Sequence, residues 1–407
     1  MAEPWVSLVI GGTLLLAGFA AALMFDRYRV PDFFMLLLLG VVLGHLPLEP
    51  FGPSLLVSLG PIVPAFIAVT LALIMFEGGM ALDPAELGKG AAAILGHTLG
   101  AMALTMAVTF VLATSVLGLS PITGLVLAAA FSGPSATIVM SFAPQLRLSP
   151  NGMSIIVLEG VLGNVAAAVV VIFVLQVPGQ EAIVPYLSQT VLAAAVAFLV
   201  GAAWRGLLRK LPSRRFVQIA TLSLVIVTYA VADGLIAKSG PIAAFVLGLV
   251  VAYHRRGGHP VEVKETADLK AFQSEITFVL RTFFFVYLGL LMTFDQFSVA
   301  ALVGAGLLVA GFLAARAPSA VLVARSQALS GRETRVLLGT VGRGMTDVVL
   351  VLFAIQSGVL PPTEATFLVG MLPLVILLAA VVCAGLLVWA DRGREERPRP
   401  RKDLYDA

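Results

Sequence analysis

The 407-residue sequence predicts an all-α polytopic membrane protein of about 13 transmembrane helices, built as inverted repeats with two crossed broken helices. Three observations predict it. Apolar stretches of membrane-spanning length follow one another along nearly the whole chain. The segments between them alternate between basic and almost free of basic residues. Two of the stretches, about seven crossings apart, are interrupted at mid-depth by glycine, proline or charge.

Composition excludes the soluble class. Hydrophobic residues make up 59% of the chain and charged residues 12%, against about 25% charged in soluble domains. The mean hydropathy is +1.01. The single cysteine, Cys383, rules out a disulfide or cysteine-based metal framework. The 39 glycines suit close helix packing in lipid, where small residues let backbones approach.

At about 20 apolar residues per crossing, the spans fall near 6–25, 31–47, 61–80, 91–117, 120–143, 152–176, 184–208, 216–236, 240–255, 271–293, 297–324, 334–357 and 363–390. The run 6–24 follows Glu3 rather than basic residues, so it reads as a retained first span and not a signal peptide. Runs 31–47 and 240–255 are short, and are expected to tilt differently or to merge partly with a neighbour. Residues 1–390 form the transmembrane domain, and 391–407 a short basic tail.

One set of connecting segments holds Arg27 and Arg29; Lys89; Arg147; Arg209, Lys210, Arg214 and Arg215; Arg255, Arg256, Lys264 and Lys270; Arg325, Arg332 and Arg335; and the tail from Arg392 to Lys402. The opposite set offers only Lys238. By the positive-inside rule the first set is cytoplasmic, which puts the N-terminus outside and the C-terminus inside.

The fifth span carries Ser132-Gly133-Pro134-Ser135 in its middle. Proline removes a backbone donor and clashes with the preceding turn, and glycine weakens the helix further. The twelfth span reads Gly339-Thr340-Val341-Gly342-Arg343-Gly344-Met345-Thr346-Asp347, again glycine-rich and also charged. In hydrocarbon such freed backbone groups must face protein or a water-filled cavity. Two interrupted helices in opposite orientation therefore predict a midplane binding site.

A charge near the bilayer centre costs about 2.5–3.5 kcal/mol on insertion scales, so each needs a partner or a role. Glu159 in the sixth span and Arg343 in the twelfth are expected to pair, either as a structural salt bridge or in ion binding and gating. Asp347, four residues after Arg343, competes for that guanidinium; it forms a simple intrahelical pair or leaves one carboxylate free to take a proton. Asn164 points about 140° away from Glu159, which lets its carbonyl line the cavity as a neutral ligand. Asp233 is expected to pair with Lys238, and Arg281 and Arg316 to snorkel to the interface. Glu77 reads as a helix-end residue, and His97 as a hydrogen-bonded packing histidine or a proton relay.

At Phe76-Glu77-Gly78-Gly79-Met80, Ser132-Gly133-Pro134, Leu158-Glu159-Gly160 with Asn164, Ser239-Gly240-Pro241, the run Phe283-Phe284-Phe285-Val286-Tyr287-Leu288-Gly289, Ala315-Arg316-Ala317-Pro318 and Gly342-Arg343-Gly344, the sequence resembles the monovalent cation:proton antiporters, the Na⁺/H⁺ exchanger-like family. The likeness spans about residues 5–390. It implies a homodimer with a core domain moving against a dimerisation domain, and ion-binding positions at Ser132, Gly133, Glu159 and Asn164. It also implies that Glu159 and Arg343 match the family's glutamate–arginine pair. The family's Thr-Asp-Pro is here Ser132-Gly133-Pro134, and its Asn-Asp or Asp-Asp is Gly163-Asn164.

The expected function is exchange of Na⁺ or K⁺ for protons, with no cofactor, no resident metal and no enzymatic or nucleic-acid role. Proton carriage would then pass from the absent aspartate to Glu159 or Asp347. The alternatives are an exchanger-like transporter of another small solute or anion, or a non-transporting scaffold. The expected setting is multi-pass, in a prokaryotic plasma membrane.

Overall fold

A computed structural model describes residues 4–28, 32–45, 59–82, 91–135, 148–176, 183–210, 216–236, 238–252, 255–256, 259–260, 264–292, 299–327 and 329–392. Each apolar stretch carries helix. The first four stretches give α1 (Pro4–Tyr28), α2 (Asp32–His45), α3 (Val63–Ala81) and α4 (Ala91–Val111), the last continued by a π-helical turn over Leu112–Val116. The fifth gives α5 (Pro121–Ala130), and the sixth to eighth give α6 (Pro150–Gln176), α7 (Ile183–Lys210) and α8 (Val217–Leu235). Then follow α9 (Gly240–Ala252), α10 (Lys264–Leu291) and α11 (Val299–Ser326). The twelfth stretch gives two helices, α12 (Gly331–Gly339) and α13 (Met345–Gln356), and the last gives α14 (Pro362–Arg392).

Eight of these are long and apolar enough to cross a membrane alone; α1, α2, α5, α9 and α13 supply shorter apolar segments. The polar segment after α9 holds one short antiparallel pair, Arg255–Arg256 against His259–Pro260. The fifth stretch beyond Ser135, together with Lys89, Arg147, Arg214, Arg215 and the tail after Arg392, lies outside the described residues.

Glycine sets the closest helix crossings. On α3 a Cβ at Gly79 would stand 2.1 Å from the Phe245 carbonyl oxygen, and on α9 one at Gly248 would stand 2.2 Å from that of Phe76. Real Cβ atoms do not approach oxygen so closely, so these helices touch backbone to backbone. The α2–α10 crossing is built alike, with Gly40 against Val286 and Gly289 against Leu37.

Two starts matter for the site. Ser120, extended at φ −60° and ψ 153°, precedes the N-terminal proline of α5. Ser330 opens α12 with a full capping box to Glu333. Helix α13 runs from the second break to pack on α3, α5 and α6, so the broken segments lie at the centre of the bundle.

Candidate functional site at the helix crossing

The two chain breaks meet. Helix α5 stops at Ala130, and the chain continues without helix to Ser135. Helix α12 stops at Gly339, and α13 begins at Met345. The Ser135 amide donates to the Gly342 carbonyl at 2.9 Å, joining the two breaks directly. A Cβ on Gly344 would fall 2.3 Å from Ser135 Oγ, so only glycine lets the strands pass there. Helix α6 closes the other side: a Cβ on Gly133 would stand 3.0 Å from the Gly163 Cα.

Each freed helix end meets a charge of the sign its dipole favours, cations at C-termini and anions at N-termini. Arg343 donates to the Gly133 carbonyl just past the end of α5, and its guanidinium lies 4.2 Å from the Phe312 ring centroid. Arg316 donates through Nε to the Leu337 carbonyl at 2.9 Å and through Nη2 to the Thr340 hydroxyl, serving the last turn of α12. Asp347 accepts the Gly344 amide at the start of α13.

The pairing of charges differs from the expectation. Glu159 is bound through both carboxylate oxygens by Arg316, at 2.6 Å for Nη2 to Oε2, and not by Arg343. Arg316 does not snorkel; it is 5% exposed. The reason is position along the helix. Arg316 stands ten residues before the end of α11 at Ser326, about 15 Å at 1.5 Å per residue, too deep for the side chain to reach an interface. Arg343 and Asp347, both buried, form no ion pair with each other among the described residues, since Asp347 turns to its own helix start.

The other candidates fall as follows. The Ser132 hydroxyl donates to the Ala129 carbonyl at 2.7 Å, and among the described residues nothing donates to its oxygen. Asn164 follows Gly163 on α6 and is half-buried. His97, expected as a packing histidine or a proton relay, is buried beside Glu159, its Nε2 3.6 Å from Oε1. Asp233 does pair with Lys238, at 3.3 Å. Glu77 lies near the end of α3, open at one edge and close to Arg281 of α10. Among the described residues no group of three or more His, Cys, Asp and Glu is placed to hold a metal.

Sequence reasoning also missed two contacts flanking the crossing. Ser120 gives its amide to Glu364 Oε1 at 3.0 Å and its hydroxyl to Oε2 at 2.6 Å. Ser149 gives its amide, at 3.0 Å, and its hydroxyl to Glu333 Oε1. Their signal was present in the sequence as Ser-Pro at two helix starts and an acid in the first turn of two others.

Two interrupted helices that cross inside an apolar bundle, their freed ends matched by buried charges, define a secondary-transporter architecture. The chain belongs to the sodium/hydrogen exchanger family, whose transmembrane-region model matches residues 12–389. It is 26% identical over 371 residues to the K⁺/H⁺ antiporter NhaP of Alkalimonas amylolytica, covering 87% of this chain and 61% of that protein. The chain thus spans about three-fifths of the length of that relative. In fold it matches the structure of the sodium proton antiporter MjNhaP1 from Methanocaldococcus jannaschii at pH 8, with a TM-score of 0.74, 16% identity, and coverage of 96% of this chain and 99% of that one. An electron-microscopy structure of the same antiporter matches with a TM-score of 0.71, 17% identity, and coverage of 98% and 100%.

Proposed function

We propose that the protein exchanges Na⁺ or K⁺ for protons, with Asp347 as the carboxylate for which cation and proton compete. The observation that carries this reading is the different standing of the two acids at the crossing. Glu159 has both oxygens committed to Arg316. Asp347 is 2% exposed, and no described residue forms an ion pair with it.

Magnitudes decide what such an acid does. Burial removes several kcal/mol of hydration from an ion; a helix N-terminus returns about 2 kcal/mol at most, and the charge of Arg343, near but not paired with Asp347, offsets part of the remainder. The balance is recovered by taking up either a proton or a dehydrated cation, one excluding the other. Mutual exclusion at one group is what exchange requires. Neutral oxygens from Ser132, from carbonyls of the break and from Asn164 would complete a cation shell, while Gly133 lends its carbonyl to Arg343. Arg343 would keep the Gly133 carbonyl and the end of α5 in place.

The family, and the K⁺/H⁺ antiport named for the Alkalimonas relative, support cation:proton exchange. The protein would work as a homodimer in the lipid bilayer of a prokaryotic plasma membrane. The alternation of basic segments supports an outer N-terminus and a cytoplasmic C-terminus. Residues 1–390 would be the transporting unit and 391–407 a tail that anchors topology.

The test is a proteoliposome assay with an imposed pH gradient and Na⁺, K⁺ or Li⁺ added in turn. The wild type should give a cation-dependent pH change, and Asp347→Asn should abolish it while the protein stays folded. No cation-dependent change in the wild type would overturn exchange; full activity in Asp347→Asn would overturn the assignment of Asp347 alone.

A further inference from the structure

The contacts of Ser120 with Glu364 and of Ser149 with Glu333 join residues 244 and 184 positions apart. Each carboxylate lies between two helix N-termini. Glu364, in the first turn of α14, reaches the residue that opens α5. Glu333, in the first turn of α12, reaches the residue that precedes α6. The start of a broken helix in one repeat is thus tied to the start of the following helix in the other repeat, twice, with the roles exchanged. The chain passes from Glu333 through α12, the crossing and α13 before it reaches Glu364. The two contacts therefore stand on opposite sides of the crossing.

Two helix N-termini brought together repel, because each carries about half a positive charge, and one carboxylate between them reverses the sign of that interaction. The acceptor capacity of Glu333 is also filled. Glu333 accepts the amide and hydroxyl of Ser149 on one oxygen and those of Ser330 on the other. Glu364 uses both oxygens on Ser120. Opening either contact would leave the serine amide and hydroxyl at one helix start without their carboxylate partner.

We infer that Ser120–Glu364 and Ser149–Glu333 are two permanent clasps, and that the four residues are positioning residues that make both broken helices travel as one rigid body. The inference rests on the exchange reading only for its transport readout.

The experiment replaces a clasp by a reversible covalent link. In a Cys383→Ala background, Ser149→Cys with Glu333→Cys, and separately Ser120→Cys with Glu364→Cys, are joined by a short reducible thiol cross-linker. Uncoupled from its partner, the broken helix is displaced, so the unlinked forms should exchange about tenfold more slowly than wild type. The linked forms should return to within about twofold of it. Linked protein that is inactive and recovers on reduction would show that the clasp must open, and would overturn the inference.

A second readout needs no transport. Hydrogen-exchange protection factors of the amides at residues 118–124 and 148–153, corrected for intrinsic exchange rates, should stay equally high between about pH 6 and about pH 9, with and without Na⁺ or K⁺. Glu364→Ala should lower them only in the first segment, and Glu333→Ala only in the second. Loss of protection in the wild type under any one condition would overturn the inference, even if no cation proves to be carried.

Discussion

Replacing Arg316 by methionine tests which arginine holds Glu159. The substitution keeps most of the apolar stem but leaves Glu159, 2% exposed, without its counter-charge. Removing one partner of a buried ion pair costs about 3–5 kcal/mol, because the other charge stays buried and uncompensated. The hydrogen bonds of Arg316 to the Leu337 carbonyl and the Thr340 hydroxyl are lost as well. Taken singly they would be worth about 1.5–3 kcal/mol each, but contacts in one network do not add. A net loss of about 4–5 kcal/mol is expected for Arg316→Met. Joining it to Glu159→Leu removes the orphaned charge, and should bring stability back to within about 2 kcal/mol of wild type. Arg343→Met gives up a carbonyl contact and the ring of Phe312, about 2–3 kcal/mol, and should add independently to Glu159→Leu. Reversible unfolding in mixed micelles, run as a double-mutant cycle, supplies the coupling energies. The reasoning fails if the 159–316 coupling is under about 1 kcal/mol, or if the 159–343 coupling exceeds it.

Two other substitutions separate Gly133 from Asn164, the positions at which the resemblance implies an aspartate. Gly133→Asp drives a Cβ to 3.0 Å from the Gly163 Cα and 3.1 Å from its carbonyl carbon, so it should lose about 1–3 kcal/mol by overpacking and gain no cation affinity. Asn164→Asp changes charge at constant volume and should lower the KM for the cation; an unchanged KM, or a Gly133→Asp protein of full stability, contradicts this. Glu333 gives the pH dependence. Partial burial raises its carboxyl, and the hydrogen bonds from Ser149 and Ser330 more than reverse that, holding it at about 2 against an ordinary 4.5. Its folded value is depressed, so its contribution is present above pH 4.5 and is lost as pH falls from there toward 2. The unfolding midpoint of wild type should therefore fall relative to that of Glu333→Gln across that window, and parallel curves would refute the clasp energetics.

Much of the fold was legible because hydrocarbon leaves few choices. Every apolar stretch of sufficient length had to be helix, and the two places where glycine, with proline in the first and charge in the second, broke that rule had to meet something. They met each other, at Ser135 and Gly342. The partner of Glu159 was not legible. Arg316 already stands eight residues inside the expected span end at 324, and ten inside the helix end at Ser326, so its depth was legible. Which helix carries its partner depends on how α6 and α11 pack. The run Ala315-Arg316-Ala317-Pro318, a charge inside an otherwise apolar stretch, held the signal. The role of Asp347 as a cap at the start of α13 could have been read from its place three residues after Gly344. Of the clasps only the ends were legible, as Ser-Pro at two helix starts and an acid in the first turn of two others; which serine meets which acid depends on the crossing itself.

The crossing also explains why an acid stands at 347 rather than at 133. Side chains at Gly133 and Gly163 would each meet the other strand at 3.0–3.1 Å, so α5 and α6 approach there by backbone alone. Nothing with a carboxylate fits between them without prising the break from α6. Across the crossing the constraint is different. Gly344 lets Ser135 pass, and the next turn of α13 turns Asp347 back onto the Gly344 amide. An acid placed there keeps one hydrogen bond and a helix N-terminus while the backbone contact of α5 with α6 stays intact. If Asp347 carries the exchanged ion, the tight glycine contact and the displaced acid are one adaptation. Widening the contact with Gly163→Ala should then impair exchange without touching any charged group.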